Sequence, residues 1–160
     1  MNSRLQLFLR YWLPVIAWLA VIAMESTGTM SAGNTAHWLY AVVAKFAGLL
    51  GLSAGAILAY VDVANQILRK CGHFLGYGIL SLLFFRAFRS AIRNMLLRCA
   101  LLSIAATALV ASADEYHQTF IPSRTGNVHD VLLDTCGAVL LQLIVLAYMH
   151  LRQKRSALAG

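Results

Sequence analysis

The stretch ASADEYHQTFIPSRTGNVHDVLLDTCG, residues 111–137, joins two long apolar runs and holds four of the six acidic residues in the chain: Asp114, Glu115, Asp130 and Asp134. Ionisable groups are costly beside a bilayer, and those packed between membrane helices usually mark a functional site. We therefore predict that two helices meet at this stretch as a hairpin. The remainder of the chain is predicted to be the scaffold that presents the hairpin.

The composition is typical of a membrane protein. Of the 160 residues, 60% are hydrophobic and 12% are charged, whereas soluble domains carry about 25% charged residues. The length suits one domain with about four or five helices that cross a bilayer. We predict an all-α fold: a single domain over residues 1–160 that forms a polytopic integral membrane bundle. It would have four transmembrane helices plus one interfacial or re-entrant helix.

The net charge of +7 is interpreted as a topology signal and not as a binding surface for nucleic acid. Basic residues lie at the ends of the apolar runs, and no basic patch is interleaved with stacking aromatic residues. Under the positive-inside rule, the basic turn at residues 86–98 and the basic tail at residues 152–155 lie in the cytosol. Both termini are therefore predicted to be cytosolic, with the acidic hairpin at the outer face of the cytoplasmic membrane.

Four apolar runs are predicted to cross the membrane, at residues 5–24, 71–88, 95–113 and 128–149. A further run, residues 37–60, is long enough to cross but contains Lys45. Its Gly51 and Gly55 have the small-xxx-small spacing of close helix packing. The orientation of the neighbouring spans requires this run to begin and end outside, so we favour a helix that does not cross. A fifth span is the alternative.

The spacings in the hairpin bring polar side chains together. Asp114 and Glu115 lie four and three residues before Gln118, which places the three on neighbouring parts of one helical face. A turn-rich loop follows and carries Arg124. A guanidinium can bind a carboxylate or a phosphate through two hydrogen bonds, so Arg124 is a candidate for either partner.

The helix after this loop is predicted to begin with Asn127 as its N-cap. Asp130, three residues later, has the position of a capping-box carboxylate. Asp134 lies about one turn deeper in the same helix. The start of this helix therefore presents two carboxylates near the loop.

A second polar cluster consists of Lys70, His73 and Tyr77. Steps of three and four residues place these side chains on one stripe of a helix. The predicted topology puts the stripe at the same membrane level as Glu115 and Asp130. Few other polar groups are available to meet it there.

Three groups of residues resemble the signature of VanZ-like membrane proteins. Lys70-Cys71-Gly72-His73-Phe74 followed by Tyr77 is similar to its K-x-x-H-F-x-x-Y motif. Residues 114–124 are similar to D-E-x-x-Q-x-F-x-P-x-R, and residues 130–137 to D-x-x-x-N-x-x-G. The resemblance covers about residues 70–145. Position 134 is Asp where the family usually has Asn, so we expect an additional carboxyl group to be buried at the site.

The VanZ-like family is named for a protein associated with resistance to the glycopeptide teicoplanin. The resemblance therefore implies a protein of the cell envelope, in the bacterial inner membrane. A link to antibiotic resistance is one expectation that it carries. It transfers no reaction to this chain, because no reaction is agreed for the family.

The first functional hypothesis is that the chain binds membrane lipids or lipid-linked envelope intermediates, holding an anionic lipid or glycolipid headgroup at the outer leaflet. Lys70, Arg124 and His73 would contact the headgroup, and acidic residues would orient these cations. The predicted binding residues are Lys70, Tyr77, Asp114, Gln118, Arg124, Asp130 and Asp134.

The second hypothesis is a membrane-embedded enzyme that acts on a lipid-linked substrate, with Glu115 and His73 as acid and base. A purely structural polar network is the third. His73, Glu115, Asp114 and Asp130 are of the types that bind metals, but a single well-placed histidine argues against a metal site. We therefore expect no metal and no cofactor.

Overall fold

The computed structural model describes residues 3–27, 32–51, 54–92, 95–122 and 126–158. Within these ranges the chain forms α-helices and no strand. The helices are α1 (Ser3–Glu25), α2 (Ala32–Leu50), α3 (Ala54–Ala91), α4 (Leu96–Gln118) and α5 (Val128–Leu158). The predicted all-α fold is confirmed.

Four of these helices contain segments long and apolar enough to cross a bilayer. The segments are Leu5–Glu25 in α1, Tyr60–Ala91 in α3, Leu96–Gln118 in α4 and Val128–Leu158 in α5. An α-helix suits them because hydrocarbon offers no hydrogen bonds, and a helix satisfies its own backbone groups. The predicted number of long apolar helices is confirmed. Among the described residues, α2 supplies no such segment.

The run at residues 37–60 is divided between two helices. α2 ends at Leu50, Gly51 has a φ of +67°, and α3 begins at Ala54. This φ lies in the left-handed region, where a side chain is disfavoured and glycine is not. Gly51 therefore allows α2 to end and α3 to begin within a few residues.

The longest helix, α3, is the centre of the bundle. Its 38 residues extend for about 57 Å, whereas the hydrocarbon core of a bilayer is about 30 Å thick. The predicted span at residues 71–88 is only the later part of α3. α3 packs against α1, α2, α4 and α5, so it positions every other helix.

α3 and α5 approach each other closely at two glycines. A Cβ on Gly137 would lie 2.1 Å from the carbonyl oxygen of Phe74, and a Cβ on Gly78 would lie 2.8 Å from Leu141 Cδ1. Small residues let membrane helices approach each other closely, and the resulting van der Waals packing holds such helices together. The contact also places Asp134, three residues before Gly137, beside α3.

Basic residues of α1 and α3 meet at one end of the bundle, which we call the basic end. Arg86 donates a hydrogen bond of 3.0 Å to the carbonyl oxygen of Arg10, and its guanidinium lies 5.3 Å from the centre of the Tyr11 ring. Nearer the middle, Trp18 Nε1 donates to the carbonyl oxygen of Gly76 over 2.8 Å. These contacts show that α1 runs antiparallel to α3.

The opposite end of the bundle, the acidic end, holds the predicted site. In α3, Arg69 and Arg86 are separated by seventeen residues, or about 26 Å along the helix. In α4, Arg98 and Glu115 are separated by the same number. This separation approaches the thickness of the hydrocarbon core. A bilayer that places Arg86 and Arg98 at one surface therefore places Arg69 and Glu115 near the other.

The bundle has an apolar outside and a partly polar inside. Gln142 is buried and donates hydrogen bonds of 2.9 Å to both the carbonyl oxygen and the hydroxyl of Ser81. Large apolar side chains are exposed on the spanning helices, among them Leu97, Leu101, Leu109, Leu140, Leu143 and Ile144. This distribution suits a bundle surrounded by lipid, in which apolar side chains contact acyl chains.

Candidate functional site

The first part of the site joins α3 to the end of α4. The buried Tyr77 donates its hydroxyl hydrogen to Asp114 Oδ2 over 2.9 Å. Gln118 Nε2 donates to the same oxygen over 3.0 Å and to Glu115 Oε1 over 3.3 Å. Asp114 therefore accepts hydrogen bonds from two helices. The spacings of three and four residues predicted the contacts within α4, and the structure adds Tyr77.

The second part of the site joins α3 to α5. Lys70 Nζ lies 3.7 Å from Asp130 Oδ1, and His73 Nδ1 lies 3.6 Å from Asp134 Oδ2. The Lys70 side chain is 64% exposed, and ion pairs this exposed contribute little stability. The predicted stripe of α3 thus faces both α4 and α5, and its exposed member is the lysine.

Glu115 ties the end of α4 to the start of α5. Its Oε2 accepts a hydrogen bond of 2.8 Å from the backbone N–H of Asn127. A Cβ on Gly126 would lie 2.3 Å from the carbonyl oxygen of Glu115. Only glycine at position 126 therefore lets the returning chain pass this close to α4.

Asn127 caps α5, but not through the predicted capping box. Its side-chain Oδ1 accepts a hydrogen bond of 3.0 Å from the N–H of His129, as expected of an N-cap. The capping box required the Asp130 carboxylate to bind the backbone N–H of Asn127. That prediction is wrong, because Glu115 occupies this N–H and Asp130 lies beside Lys70. Glu115, from α4, therefore binds the N–H that the capping box would assign to Asp130 of α5.

Asp134 is buried, His73 is half-buried, and both have unused hydrogen-bonding capacity. The Asp134 side chain is completely inaccessible to solvent. Neither of its carboxylate oxygens, nor His73 Nδ1, has a hydrogen-bond partner among the described residues. Burial of a carboxylate without hydrogen bonds is costly, so this pair is an unusual feature inside a membrane bundle.

A cluster of three possible ligands lies at the centre of the site. His73, Glu115 and Asp134 each place one donor atom within 4.8 Å of the others' donor atoms. These residues come from α3, α4 and α5. The predicted acid/base pair, Glu115 and His73, belongs to this cluster, and its catalytic role stays a prediction.

A cavity of about 300 Å³ opens beside His73. It lies between α2, α3 and the end of α1. Its lining residues are Glu25, Trp38, Leu39, Asn65, Leu68, Arg69, Gly72 and His73. Ligand sites in proteins are typically concave, largely apolar and supplied with a few polar groups. The cavity has this character.

Asn65 and Arg69 were not among the predicted site residues. These residues and His73 follow one another at steps of four, which places them on one face of α3. The signal was therefore present in the sequence. It was overlooked because the predicted span began at residue 71 and left Asn65 and Arg69 outside any helix. Arg124, predicted to bind the headgroup, lies outside the described residues.

The hydrogen bond from Tyr77 to Asp114 gives a direct test of this geometry. The change Tyr77→Phe is expected to lower the free energy of unfolding by about 1–3 kcal/mol, because it removes one donor from a partly buried carboxylate. Titration of the purified protein with a denaturing detergent measures the change. Tyr116→Phe is the matched control, since Tyr116 is exposed. Equal effects of the two changes would contradict the structure.

The comparisons with known proteins identify a family. A family model described as VanZ/LLP1 matches residues 11–150. No curated protein and no solved structure matches the chain significantly. The match includes every residue of α3, α4 and the site described above.

Proposed function

The chain belongs to the VanZ/LLP1 family, and we propose that this multi-pass membrane protein binds the anionic headgroup of a lipid. The proposed ligand class comprises membrane phospholipids and lipid-linked envelope intermediates, which share a phosphate. The proposed position of the headgroup is the cavity beside His73.

The cavity is the observation that supports this proposal. Its volume of about 300 Å³ is at the lower end of the range for small-molecule sites, as suits a headgroup without its acyl chains. Arg69 and His73 are among the lining residues, and a guanidinium is well suited to phosphate. Glu25 also lines the cavity, so Arg69 is the group that would contact the phosphate.

The level of the cavity in the membrane supports the same ligand. Arg69 lies about 26 Å along α3 from Arg86 at the basic end. The exposed ring of Trp38 borders the cavity, and tryptophan is enriched where hydrocarbon meets headgroups. A headgroup would therefore reach the cavity without leaving the plane of its leaflet.

We propose that the acidic end faces outward and that both termini are cytosolic. Arg86, Arg98 and Arg152 are all near the basic end, which the positive-inside rule assigns to the cytosol. In a cysteine-free background, Thr119→Cys should react with a membrane-impermeant thiol reagent in intact cells. Ser156→Cys, exposed at the opposite end, should react only after permeabilisation. The reverse pattern would invert the proposed orientation.

Lipid competition tests the binding function. Protein in detergent would be offered equal amounts of phosphatidylglycerol, phosphatidylcholine and a polyprenyl diphosphate, and retained lipid would be measured by native mass spectrometry. We expect an anionic lipid to be retained about 10-fold over phosphatidylcholine, which corresponds to about 1.4 kcal/mol. The two anionic arms distinguish a phospholipid from a lipid-linked intermediate.

The matched variants in this experiment are Arg69→Gln and Arg98→Gln. Arg69 lines the cavity, whereas Arg98 is exposed at the basic end. Only Arg69→Gln should remove most of the preference for anionic lipid. No preference in the wild type, or equal losses in the two variants, would overturn the proposal.

The second candidate function is an enzyme that acts on a lipid-linked substrate with Glu115 and His73 as acid and base. The observation that favours it is the cluster of the half-buried His73 with the buried Glu115 and Asp134, with His73 also lining the cavity. Glu115→Gln keeps the shape of the side chain and removes the titratable group. Any turnover of a polyprenyl diphosphate that persists at the wild-type rate in this variant would rule out Glu115 as acid or base.

A further inference from the structure

We propose that His73, Glu115 and Asp134 form a binding site for one divalent transition-metal ion. The three side chains come from α3, α4 and α5, which converge at the acidic end. Their donor atoms all lie within 4.8 Å of one another. No metal was expected from the sequence, because it shows a single well-placed histidine and no ligand-spaced pair of histidines. A site with one ligand on each of three helices has no local spacing to find.

The unused hydrogen-bonding capacity of Asp134 is the strongest support for a bound cation. Its carboxylate is fully buried, and both oxygens lack a hydrogen-bond partner among the described residues. His73 Nδ1, 3.6 Å away, also lacks one. Charged groups in such surroundings are normally paired or coordinate a metal. An ion between these side chains would use all three atoms at once.

Two hydrogen bonds hold the Glu115 carboxylate in place, as outer-shell hydrogen bonds hold the ligands of a metal ion. The N–H of Asn127 binds Oε2, and Gln118 Nε2 binds Oε1. Each carboxylate oxygen has two lone pairs, so these hydrogen bonds leave capacity for an ion. Outer-shell partners of this kind fix the direction of a ligand and contribute to metal affinity.

The three side chains would have to move only slightly for their donor atoms to share one ion. Two donor atoms that share an ion at about 2.0–2.2 Å lie no more than about 4.4 Å apart. Donor atoms that already lie within 4.8 Å reach this range by small side-chain rotations. His73 also lines the cavity, so an ion bound to it would be close to a molecule held there.

The donor set favours zinc or manganese. Imidazole nitrogen suits transition metals, while calcium and magnesium sites are built from oxygen ligands. The set here is one imidazole and two carboxylates.

Metal uptake by the purified protein tests the site. Protein in lipid-free detergent would be stripped with a chelator, dialysed against zinc or manganese chloride, and assayed by elemental mass spectrometry and titration calorimetry. We expect one equivalent of one of these metals per chain. Asp134→Asn and His73→Gln should each weaken the affinity by more than about 10–100-fold, which is the loss that removal of an outer-shell partner alone produces.

Asp130→Asn is the matched control. It makes the same change one turn away on α5, at a carboxylate that faces Lys70, and it should bind metal as the wild type does. Equal losses in Asp130→Asn and Asp134→Asn would overturn the proposal, as would a folded wild type that takes up no stoichiometric metal.

A measurement on the wild type keeps the test independent of any variant's folding. Cobalt added to the stripped protein should produce visible absorption bands of a site with nitrogen and oxygen ligands, and zinc or manganese should abolish them by competition. Spectra identical to those of cobalt in buffer would contradict the site. These measurements contain no lipid, so the metal site and the proposed headgroup binding succeed or fail separately.

Discussion

Replacement of Gly137 by alanine is expected to prevent the chain from accumulating as a folded membrane protein. The new Cβ would lie 2.1 Å from the carbonyl oxygen of Phe74 and 2.9 Å from its carbonyl carbon. These are backbone atoms of α3, which cannot rotate away. Since overpacking of well-packed interiors typically costs about 1–3 kcal/mol where side chains can adjust, we expect a loss of about 3 kcal/mol or more here.

Two glycines of α3, Gly72 and Gly78, supply graded controls for the change at Gly137 of α5. At Gly72 a Cβ would meet no atom within 4 Å, so Gly72→Ala should leave abundance and thermal stability unchanged. At Gly78 the nearest atoms belong to the flexible side chain of Leu141, and Gly78→Ala should have an intermediate effect. Membrane abundance and size-exclusion profiles measure all three. A Gly137→Ala protein as abundant as Gly72→Ala would contradict the described packing of α3 on α5.

Replacement of Glu115 by alanine is expected to be the second most damaging change. It would leave the N–H of Asn127 without its partner, remove one acceptor of Gln118 and open a gap between α4 and α5. A hydrogen bond to a charged group contributes about 1.5–3 kcal/mol. Two such bonds are lost here, and the one from Gln118 is long and leaves Gln118 its second acceptor, Asp114. We therefore expect a loss of about 2–4 kcal/mol in the free energy of unfolding.

Glu115→Gln separates this structural role from a chemical one. The amide oxygen of glutamine can still accept the hydrogen bond from Asn127, so most of the stability should return. Hydrogen exchange at the Asn127 amide measures the contact directly: it should be slow in the wild type and Glu115→Gln, and fast in Glu115→Ala. Rapid exchange in the wild type would show that Glu115 does not hold the start of α5.

The class of fold could be predicted because it depends on composition and on the length of apolar runs. Four runs were predicted to cross a bilayer, and the part of the chain that the structure describes has four helices long and apolar enough to do so. The stripe of Lys70, His73 and Tyr77 was predicted to lie at the membrane level of the hairpin, from helical periodicity and from the charged ends of the runs. These are properties that a sequence displays without knowledge of packing. The contacts between the stripe and the hairpin are shown by the structure.

The full extent of α3 could not be predicted from hydropathy. Asp62, Asn65 and Arg69 interrupt the apolar run before residue 71, yet they lie in the same continuous helix. Hydropathy does not reveal the part of a helix that continues beyond its apolar segment. The cavity, formed by this continuation with α2 and the end of α1, was therefore missed.

The pairing within the site also depended on tertiary structure. The spacing in α5 favoured a local capping role for Asp130, but the N–H of Asn127 binds Glu115. His73 was paired with Glu115 in the sequence hypothesis, and its ion-pair contact is with the buried Asp134. Which carboxylate reaches which donor is decided by the close approach of α3 and α5 at Gly137, and one sequence does not display that distance.

The most direct test of the proposed headgroup site is photocrosslinking in the membrane. Phosphatidylglycerol with a photoactivatable group on its headgroup would be incorporated with the protein into vesicles, and the labelled peptides would be identified by mass spectrometry. We expect adducts to be concentrated on residues that line the cavity, namely Trp38, Leu39, Leu68 and Arg69. These adducts should be diminished by Arg69→Gln and by excess unlabelled phosphatidylglycerol. Labelling spread over the ends of the spanning helices, without enrichment at the cavity and without competition, would contradict the proposed headgroup site.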